Sequence, residues 1–115
     1  MKNLCTIKSI CRLISEYEVN FHRKYGISLN EGLLLCSLRN GSMSSGEIAE
    51  ELELSCSNTS KVLRSVEEKG FVERVLGEKD RRQMYFNLTK TGLEIIGQIE
   101  SDELDIPDML KQIDG

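Results

Sequence analysis

The sequence of 115 residues has no tryptophan, one proline, one histidine and four cysteines. The cysteines show no Cys-x-x-Cys spacing, and a single histidine adds little to them, so we expect no metal site. No apolar run approaches the roughly 20 residues that cross a membrane. The first residues also lack the apolar core of a signal peptide. We therefore expect a cytoplasmic protein with reduced cysteines and without a membrane partner.

The sequence also lacks the residue sets on which enzymes depend. It contains neither a catalytic set of nucleophile, general base and base-orienting residue nor a glycine-rich phosphate-binding loop. We therefore expect no enzymatic activity and no cofactor. The length is typical of one domain with a hydrophobic core of its own, so residues 1–115 are predicted to form a single domain.

Charge is distributed unevenly along the chain, although the formal net charge is only −4. Residues 57–92 carry eight basic and five acidic side chains, whereas residues 93–115 carry one basic and seven acidic side chains. An acidic protein still binds DNA when its cations lie on one face. The basic middle third is therefore the candidate for an interface with nucleic acid.

The periodicity of apolar residues predicts two helices in the first third of the chain. The first covers residues 3–24 and ends at Gly26, a residue type common at helix C-termini. The second follows a capping-box pattern at Ser28 and runs to about Arg39. It is rich in leucine, so we expect it to be largely buried, with Cys36 in the core. The leucines that predict this burial are Leu33, Leu34, Leu35 and Leu38.

Two further helices form a predicted helix-turn-helix. A second capping-box pattern, from Ser44 to Glu47, opens the third helix, and Ser55 is placed to cap a fourth over residues 56–69. The outer face of the fourth helix is small, polar and basic. It carries Ser57, Asn58, Ser60, Lys61 and Arg64. Such a face suits a recognition helix that enters the major groove, and the alternative is an ordinary solvated face.

A β-hairpin is predicted directly after the fourth helix. Two apolar segments, residues 71–76 and 84–88, flank a polar turn, and the second segment alternates with a period of two. The charged residues of the turn are Lys79, Asp80, Arg81 and Arg82. Such a tip can reach a phosphate backbone or a minor groove, or it is a loop that keeps the chain soluble. Helix-turn-helix and hairpin together predict a mainly α winged-helix fold.

The ends of the chain predict a homodimer. Apolar residues of the first helix cover more than one face, and a short apolar segment follows the fifth helix, which Thr89 is predicted to open. Pro107 is placed to begin a last short helix, whose apolar residues are Ile106, Met109, Leu110 and Ile113. Left exposed, these residues would form an apolar patch larger than soluble monomers usually tolerate. We therefore expect residues 28–92 to form the winged-helix core and residues 3–24 and 93–115 to form dimerisation elements.

The motifs in this frame resemble those of the MarR family of bacterial winged-helix transcription regulators. The resemblance rests first on Asp80-Arg81-Arg82, followed by Leu88-Thr89-Lys90-Thr91-Gly92. Upstream, Glu47-Ile48-Ala49 and the segment from Val66 to Val72 match the family's helix-turn-helix landmarks. Together they cover roughly residues 28–99, and 23 residues follow Gly92, fewer than the family usually has.

The resemblance implies a homodimeric repressor or activator that binds double-stranded DNA at a palindromic operator. In such proteins the second arginine of the wing motif, here Arg82, enters the minor groove, and the aspartate, here Asp80, orients it. The recognition helix supplies the contacts in the major groove. A small anionic or phenolic effector is a further partner that the family implies. The alternative function is a winged-helix adaptor that binds protein and not specific DNA.

The resemblance also makes Cys5 and Cys11 candidates for a redox sensor, because some family members sense oxidants through a cysteine near the start of the first helix. The other interpretation of Cys5 and Cys11 is that both are small buried residues, as cysteines often are. A sensor thiol must be exposed and partly ionised, so accessibility decides between the two.

Overall fold

The computed structural model describes residues 3–77 and 83–102. These residues fall into two compact units, one of residues 3–29 with residue 102, and one of residues 30–77 with residues 83–101. The predicted tip residues Lys79, Asp80, Arg81 and Arg82 lie outside the described residues, as does the last helix predicted at Pro107.

The elements of the described residues are five α-helices, a 3₁₀ turn and three short strands. The helices are α1 (Asn3–Tyr25), α2 (Leu29–Ser37), α3 (Ser45–Leu52), α4 (Cys56–Glu68) and α5 (Lys90–Ser101), and the 3₁₀ turn is Leu38–Asn40. The strands are β1 (Met43–Ser44), β2 (Val72–Leu76) and β3 (Met84–Leu88). This mainly helical arrangement with a small antiparallel sheet is a winged helix, which confirms the predicted fold. None of these helices is long and apolar enough to cross a membrane.

The first unit is dominated by α1, which carries an apolar stripe at intervals of three, four or seven residues. The stripe consists of Leu4, Ile7, Cys11, Ile14, Phe21 and Tyr25. Its two ends differ: Leu4 is 82% exposed, whereas Phe21 is 3% exposed. The Tyr25 hydroxyl donates a hydrogen bond of 2.9 Å to Asp102. Burial and this hydrogen bond raise the pKa of Tyr25 to about 12.

Helices α3 and α4 begin at the caps that the sequence predicts. The Ser44 side chain accepts a hydrogen bond from the Glu47 N–H (3.2 Å), and the Glu47 carboxylate accepts one from the Ser44 N–H (3.0 Å). Ser55 accepts a bond of 3.1 Å from the Asn58 N–H and so caps α4. Both caps satisfy backbone donors that a helix otherwise leaves without partners.

The sheet contains the predicted hairpin and one strand that the sequence did not predict. Its order is β1-β3-β2, all antiparallel. In the hairpin Val72 pairs with Leu88, and Leu76 pairs with Met84. The extra strand β1 has two residues, too few for an alternating pattern to be visible in a sequence.

The core of the second unit draws on every one of its helices and on the hairpin. Its buried apolar residues are Leu34, Leu35, Leu38, Ile48, Ala49, Leu63, Val66, Val72, Phe86 and Ile96. The burial of one face each of α3 and α4 turns their opposite faces to solvent.

The leucine-rich α2 corrects two predictions. Leu33 is 46% exposed and Cys36 is exposed, although both were expected in the core. Three residues apart, they share the face of α2 that lies opposite Leu35 and Leu38. A run of leucines without polar interruptions does not mark which side of a helix is buried. Glu31 takes one of the buried positions instead.

The residues that join α4 to β2 form a closed set of backbone hydrogen bonds, which we call the α4–β2 junction (residues 69–71). The Gly70 N–H donates to the Glu67 carbonyl (2.9 Å), and the Phe71 N–H donates to the Val66 carbonyl (3.0 Å). This is the Schellman pattern of helix ends. Gly70 has a φ of +79°, which L side chains rarely adopt.

The start of α5 locks this junction from the other side. The Thr89 N–H donates to the Phe71 carbonyl (3.0 Å), and the Thr89 hydroxyl donates to the Gly70 carbonyl (2.6 Å). The same hydroxyl accepts a bond of 3.1 Å from the Gly92 N–H. A Cβ on Gly92 would lie 2.1 Å from the Phe71 carbonyl oxygen. The Leu-Thr-x-x-Gly motif therefore has a structural cause: threonine bonds the junction, and glycine leaves room for it.

Replacing Gly92 by alanine should destabilise the fold by about 1–3 kcal/mol, because the new methyl group overlaps a backbone oxygen that cannot move freely. Gly97 is the matched control on the same helix, since a Cβ there meets nothing within 4 Å. Gly97→Ala should stabilise by about 0.5–1 kcal/mol through helix propensity. Urea denaturation of the two variants measures both effects, and equal stabilities would contradict the packing described here.

Candidate nucleic-acid interface

The turn between α3 and α4 sets the direction in which α4 leaves α3. The Glu53 N–H donates to the Glu50 carbonyl (3.2 Å), and the Leu54 N–H donates to the Ala49 carbonyl (3.0 Å). Glu53 itself is left-handed, with φ 54° and ψ 41°, in a position where glycine is usual. Ser55 then caps α4, so the whole turn takes three residues.

The exposed face of α4 contains all five residues that the sequence predicted for it. Successive residues turn by about 100°, so the buried Thr59, Leu63 and Val66 define one side of the helix. Ser57, Asn58, Ser60, Lys61 and Arg64 are exposed. Four of the five lie within an arc of about 100° opposite the buried side, and Asn58 lies about 60° beyond one end of this arc. The structure thus brings these residues together on one accessible surface.

The cations of this surface differ from Arg39, Lys69 and Arg74 of the second unit in having no anionic partner among the described residues. Lys90, at the start of α5, likewise forms no ion pair there. Within the described residues, neither Lys61 nor Arg64 forms an ion pair, whereas Arg39 pairs with Glu100 and Arg74 with Glu67. A charge without a protein partner keeps its full capacity to bind an anion. The exposed face of α4 therefore offers two available positive charges and three small polar side chains.

A buried network attaches α4 to α2. Glu31 is 6% exposed, and its carboxylate accepts hydrogen bonds from Lys69 Nζ (2.7 Å) and from the Ser65 hydroxyl (2.8 Å). Lys69 also donates to Ser65 (3.0 Å). A buried carboxylate must be paired in this way to offset its loss of hydration. The network fixes the rotation of α4 about its axis and so keeps the polar face outward.

In the sequence the predicted wing residues lie between β2 and β3. The Gly77 N–H donates to the Gln83 carbonyl (2.9 Å), which extends the ladder of β2 and β3 by one step. The strands that lead to the predicted tip are therefore in place. The positions of Lys79, Asp80, Arg81 and Arg82 themselves are not among the described residues, so their role stays a prediction.

All four cysteines are free and exposed in the single chain. For Cys5 and Cys11 this accessibility is what a redox sensor requires, and it contradicts their interpretation as buried core residues. Their sensor role itself stays a prediction. Among the described residues, no group of three or more histidine, cysteine, aspartate or glutamate side chains is arranged to hold a metal ion.

Two shallow grooves lie beside α3. One has a volume of about 500 Å³ and is lined by Leu33, Cys36, Ser37, Asn40, Glu51 and Leu52. The other has a volume of about 440 Å³ and is lined by Met43, Glu47, Glu50, Glu51 and Glu53. The carboxylates make both grooves unfavourable for anions. The side of α3 that borders them is thus opposite in charge to the exposed face of α4.

Sequence reasoning did not single out Arg74, Glu67 or the Glu31 network. Glu31 was assigned only to a capping box, and Arg74 was one residue in a predicted strand. The partners are separated by 38 positions for Glu31 and Lys69 and by seven for Glu67 and Arg74. No local pattern marks pairs at such separations, because they depend on how the elements pack.

A family model and one curated sequence match this chain. The model of the MarR family matches residues 27–84, about half of the chain. The uncharacterized HTH-type transcriptional regulator YfiV of Bacillus subtilis is 34% identical over 79 residues, which are 68% of this chain. The match covers 49% of that relative, so the chain spans about half of its length.

Solved structures share the fold at low sequence identity. A point mutant of S. aureus MepR has a TM-score of 0.76 and 19% identity, and the match covers 98% of this chain and 82% of that one. The S. aureus MepR–DNA complex has a TM-score of 0.75 and 20% identity, with coverage of 88% and 76%. At these identities the likeness supports the winged-helix fold.

Replacing Glu53 by glycine should stabilise the protein by about 1 kcal/mol, because glycine adopts the left-handed conformation without the steric cost that glutamate bears. Glu50→Gly is the matched control, since it removes the same charge from the interior of α3. The control should lose about 1 kcal/mol through helix propensity. Thermal and urea unfolding measure the change in stability of each variant. A destabilised Glu53→Gly protein would contradict this account of the turn.

Proposed function

The chain belongs to the MarR family, and on that premise we propose that it is a transcription regulator that binds double-stranded DNA at a pseudo-palindromic site as a homodimer. The observation that carries the proposal is the exposed face of α4. Small polar side chains allow close approach to base edges, and Lys61 and Arg64 supply charge for phosphates or for guanine. A regulator of this kind is a binding protein and not an enzyme.

The hairpin contributes the second contact in this proposal. Arg82 holds the position of the wing-motif arginine and would enter the minor groove, with Asp80 orienting it. Lys79 and Arg81 add charge for the phosphate backbone. An adaptor that binds only protein would have no use for three cations in this short turn.

Support for the homodimer comes from the apolar stripe of α1. Leu4 is 82%, Ile7 54% and Ile14 37% exposed, and Cys11 lies on the same line between them. Alternating spacings of three and four residues are those of helices that pair along a seam. A second copy of α1 would cover this stripe and would set the distance between two α4 helices.

A small-molecule effector is the third partner of the proposal. A groove of about 500 Å³ is within the range of small-molecule sites, and Leu33 and Leu52 supply apolar lining. The Glu51 carboxylate in that lining favours a neutral or cationic compound over an anion. Of the anionic or phenolic compounds that the family resemblance implies, a neutral phenolic compound would suit this groove better than an anion.

Selection from a random pool of duplexes should enrich a site with two-fold symmetry, its halves one helical turn apart. On the selected duplex, Lys61→Ala, Arg64→Ala and Arg82→Ala should each weaken binding by roughly tenfold, a typical cost for one specific contact. Loss of a phosphate contact should also lower the salt slope by about one. Fluorescence anisotropy at several salt concentrations measures both quantities.

Arg39→Ala is the control for this experiment. Arg39 is also an exposed arginine, but it lies on the 3₁₀ turn and is paired with Glu100, so its loss should leave DNA affinity unchanged. If no symmetric site is enriched, or if all four variants bind alike, the DNA-binding proposal is wrong. An adaptor function then becomes the better interpretation.

Dimerisation through α1 should protect Cys11 from alkylation, because the thiol lies within the apolar stripe. The labelling rate of Cys11 should fall as protein concentration rises. Cys5 lies about 100° away from the stripe, so its thiol should stay reactive in the dimer. Cys5 therefore remains a candidate redox sensor. Cys36, on α2, is the control whose rate should not change with concentration. Peptide mass spectrometry after timed labelling gives all three rates, and a concentration-independent rate for Cys11 would contradict this seam.

A further inference from the structure

The hairpin leaves α4 through only three residues, yet its far end lies a considerable distance away. Five residues of β2 span about 17 Å. A swing of about 10° at the base would therefore displace the far end by about 3 Å. Contacts to DNA tolerate much smaller errors, so the backbone bonds of the α4–β2 junction need support from a contact further along the strand.

Arg74 supplies a contact of that kind. It lies at the centre of β2 and pairs across the ladder with Phe86. Its guanidinium donates two hydrogen bonds back to Glu67 on α4, from Nε to Oε2 at 2.8 Å and from Nη2 to Oε1 at 3.1 Å. Such a two-bond pair fixes the plane of the guanidinium as well as its distance.

A second interaction holds the same guanidinium from below. Its central carbon lies 5.6 Å from the centroid of the Phe86 ring, whose side chain is 5% exposed. Hydrogen bonding to Glu67, with the charge of the carboxylate, raises the pKa of Arg74 above its ordinary value. Arg74 thus joins three elements: its own strand β2, Glu67 on α4 and Phe86 on β3.

The pairing separates Arg74 from the cations that would bind DNA. The Arg74 side chain is 59% exposed, but two of its donors are used by Glu67 and its charge is compensated. Lys61 and Arg64 have no such partner among the described residues. The Arg74–Glu67 pair links the hairpin to α4, and we call this pair the brace.

We infer that Arg74 is a positioning residue for DNA binding: with Glu67 it holds the hairpin at the angle at which α4 and the far end of the hairpin contact one duplex together. The inference rests on the proposed function. It assigns Arg74 no contact with DNA, and it places Glu67, an acidic residue, among the residues that DNA binding requires.

Reversing the charge of Glu67 tests this inference, because electrostatic attraction and loss of the Glu67–Arg74 pair predict opposite changes in DNA affinity. Glu67→Arg adds positive charge near the interface, so simple electrostatics predicts tighter binding, whereas loss of the brace predicts binding weaker by roughly tenfold. Glu73→Arg is the matched control, because it makes the same charge change on the opposite face of β2. Its affinity should stay equal to wild type or increase.

The exchanged variant Glu67→Arg with Arg74→Glu should restore affinity to within about threefold of wild type, since the pair forms again with its polarity reversed. Arg74→Lys keeps the charge but loses the two-bond geometry, so it should weaken binding at an unchanged salt slope. In an Arg82→Ala background, Arg74→Lys should lose most of its effect, because the contact that it positions is already gone. An exposed pair contributes little to stability, so all variants should fold, as circular dichroism can verify.

Binding that tightens in Glu67→Arg, or that the exchange does not restore, would overturn the inference while leaving the proposed function intact. A salt slope reduced by about one in Arg74→Lys would make Arg74 a phosphate ligand and would overturn it as well. If the wild-type protein itself enriches no DNA site, the proposed function fails and the inference fails with it.

Discussion

The carbonyl group of Phe71 is the point on which the second unit depends. It accepts the N–H of Thr89 at 3.0 Å, and it lies so close to Gly92 that a methyl group there would overlap it. Phe71 therefore joins the end of α4, through its N–H, to the start of α5, through its carbonyl, directly before β2 begins. Because the helix end and the hairpin share these atoms, a change in the angle of one changes the other. The contacts of α4 and of the hairpin with a partner are coupled for the same reason.

Around this point the paired cations and the unpaired cations of α4 have different roles. Arg39, Lys69 and Arg74 are paired with carboxylates and fix one element against another. Lys61 and Arg64 have no such partner among the described residues and face solvent. The Glu31 network sets the rotation of α4, and the Glu67–Arg74 pair sets the direction of the hairpin. Two unpaired cations on α4 can therefore be enough, because the ion pairs around them fix the position of the helix and of the hairpin.

Most of the fold was predictable because its signals are local. The caps at Ser44 and Ser55 and the period of the second hairpin strand each depend on neighbours within a few residues. The exposed face of α4 was predictable for the same reason. Leu33 and Cys36 were assigned wrongly because a run of apolar residues does not show which side faces water. Glu31 and Arg74 were missed because their partners are brought to them by packing. The wing residues were predicted from the charge of the hairpin turn, and the family motif added roles for Asp80 and Arg82; neither signal gives a geometry.

The acidic residues of α3 would favour specific over non-specific binding. Glu47, Glu50 and Glu51 project from the side of α3 opposite its buried residues, directly before the helix that is proposed to contact DNA. Their repulsion from phosphates would penalise any orientation in which α3 approaches the backbone. Under the proposed function, the net charge of −4 is therefore not an obstacle to binding. It weakens non-specific association, which depends on total charge, while two available cations on α4 and those of the wing act only where the geometry is correct. An acidic chain with a small, fixed basic surface favours specific sites over DNA in general.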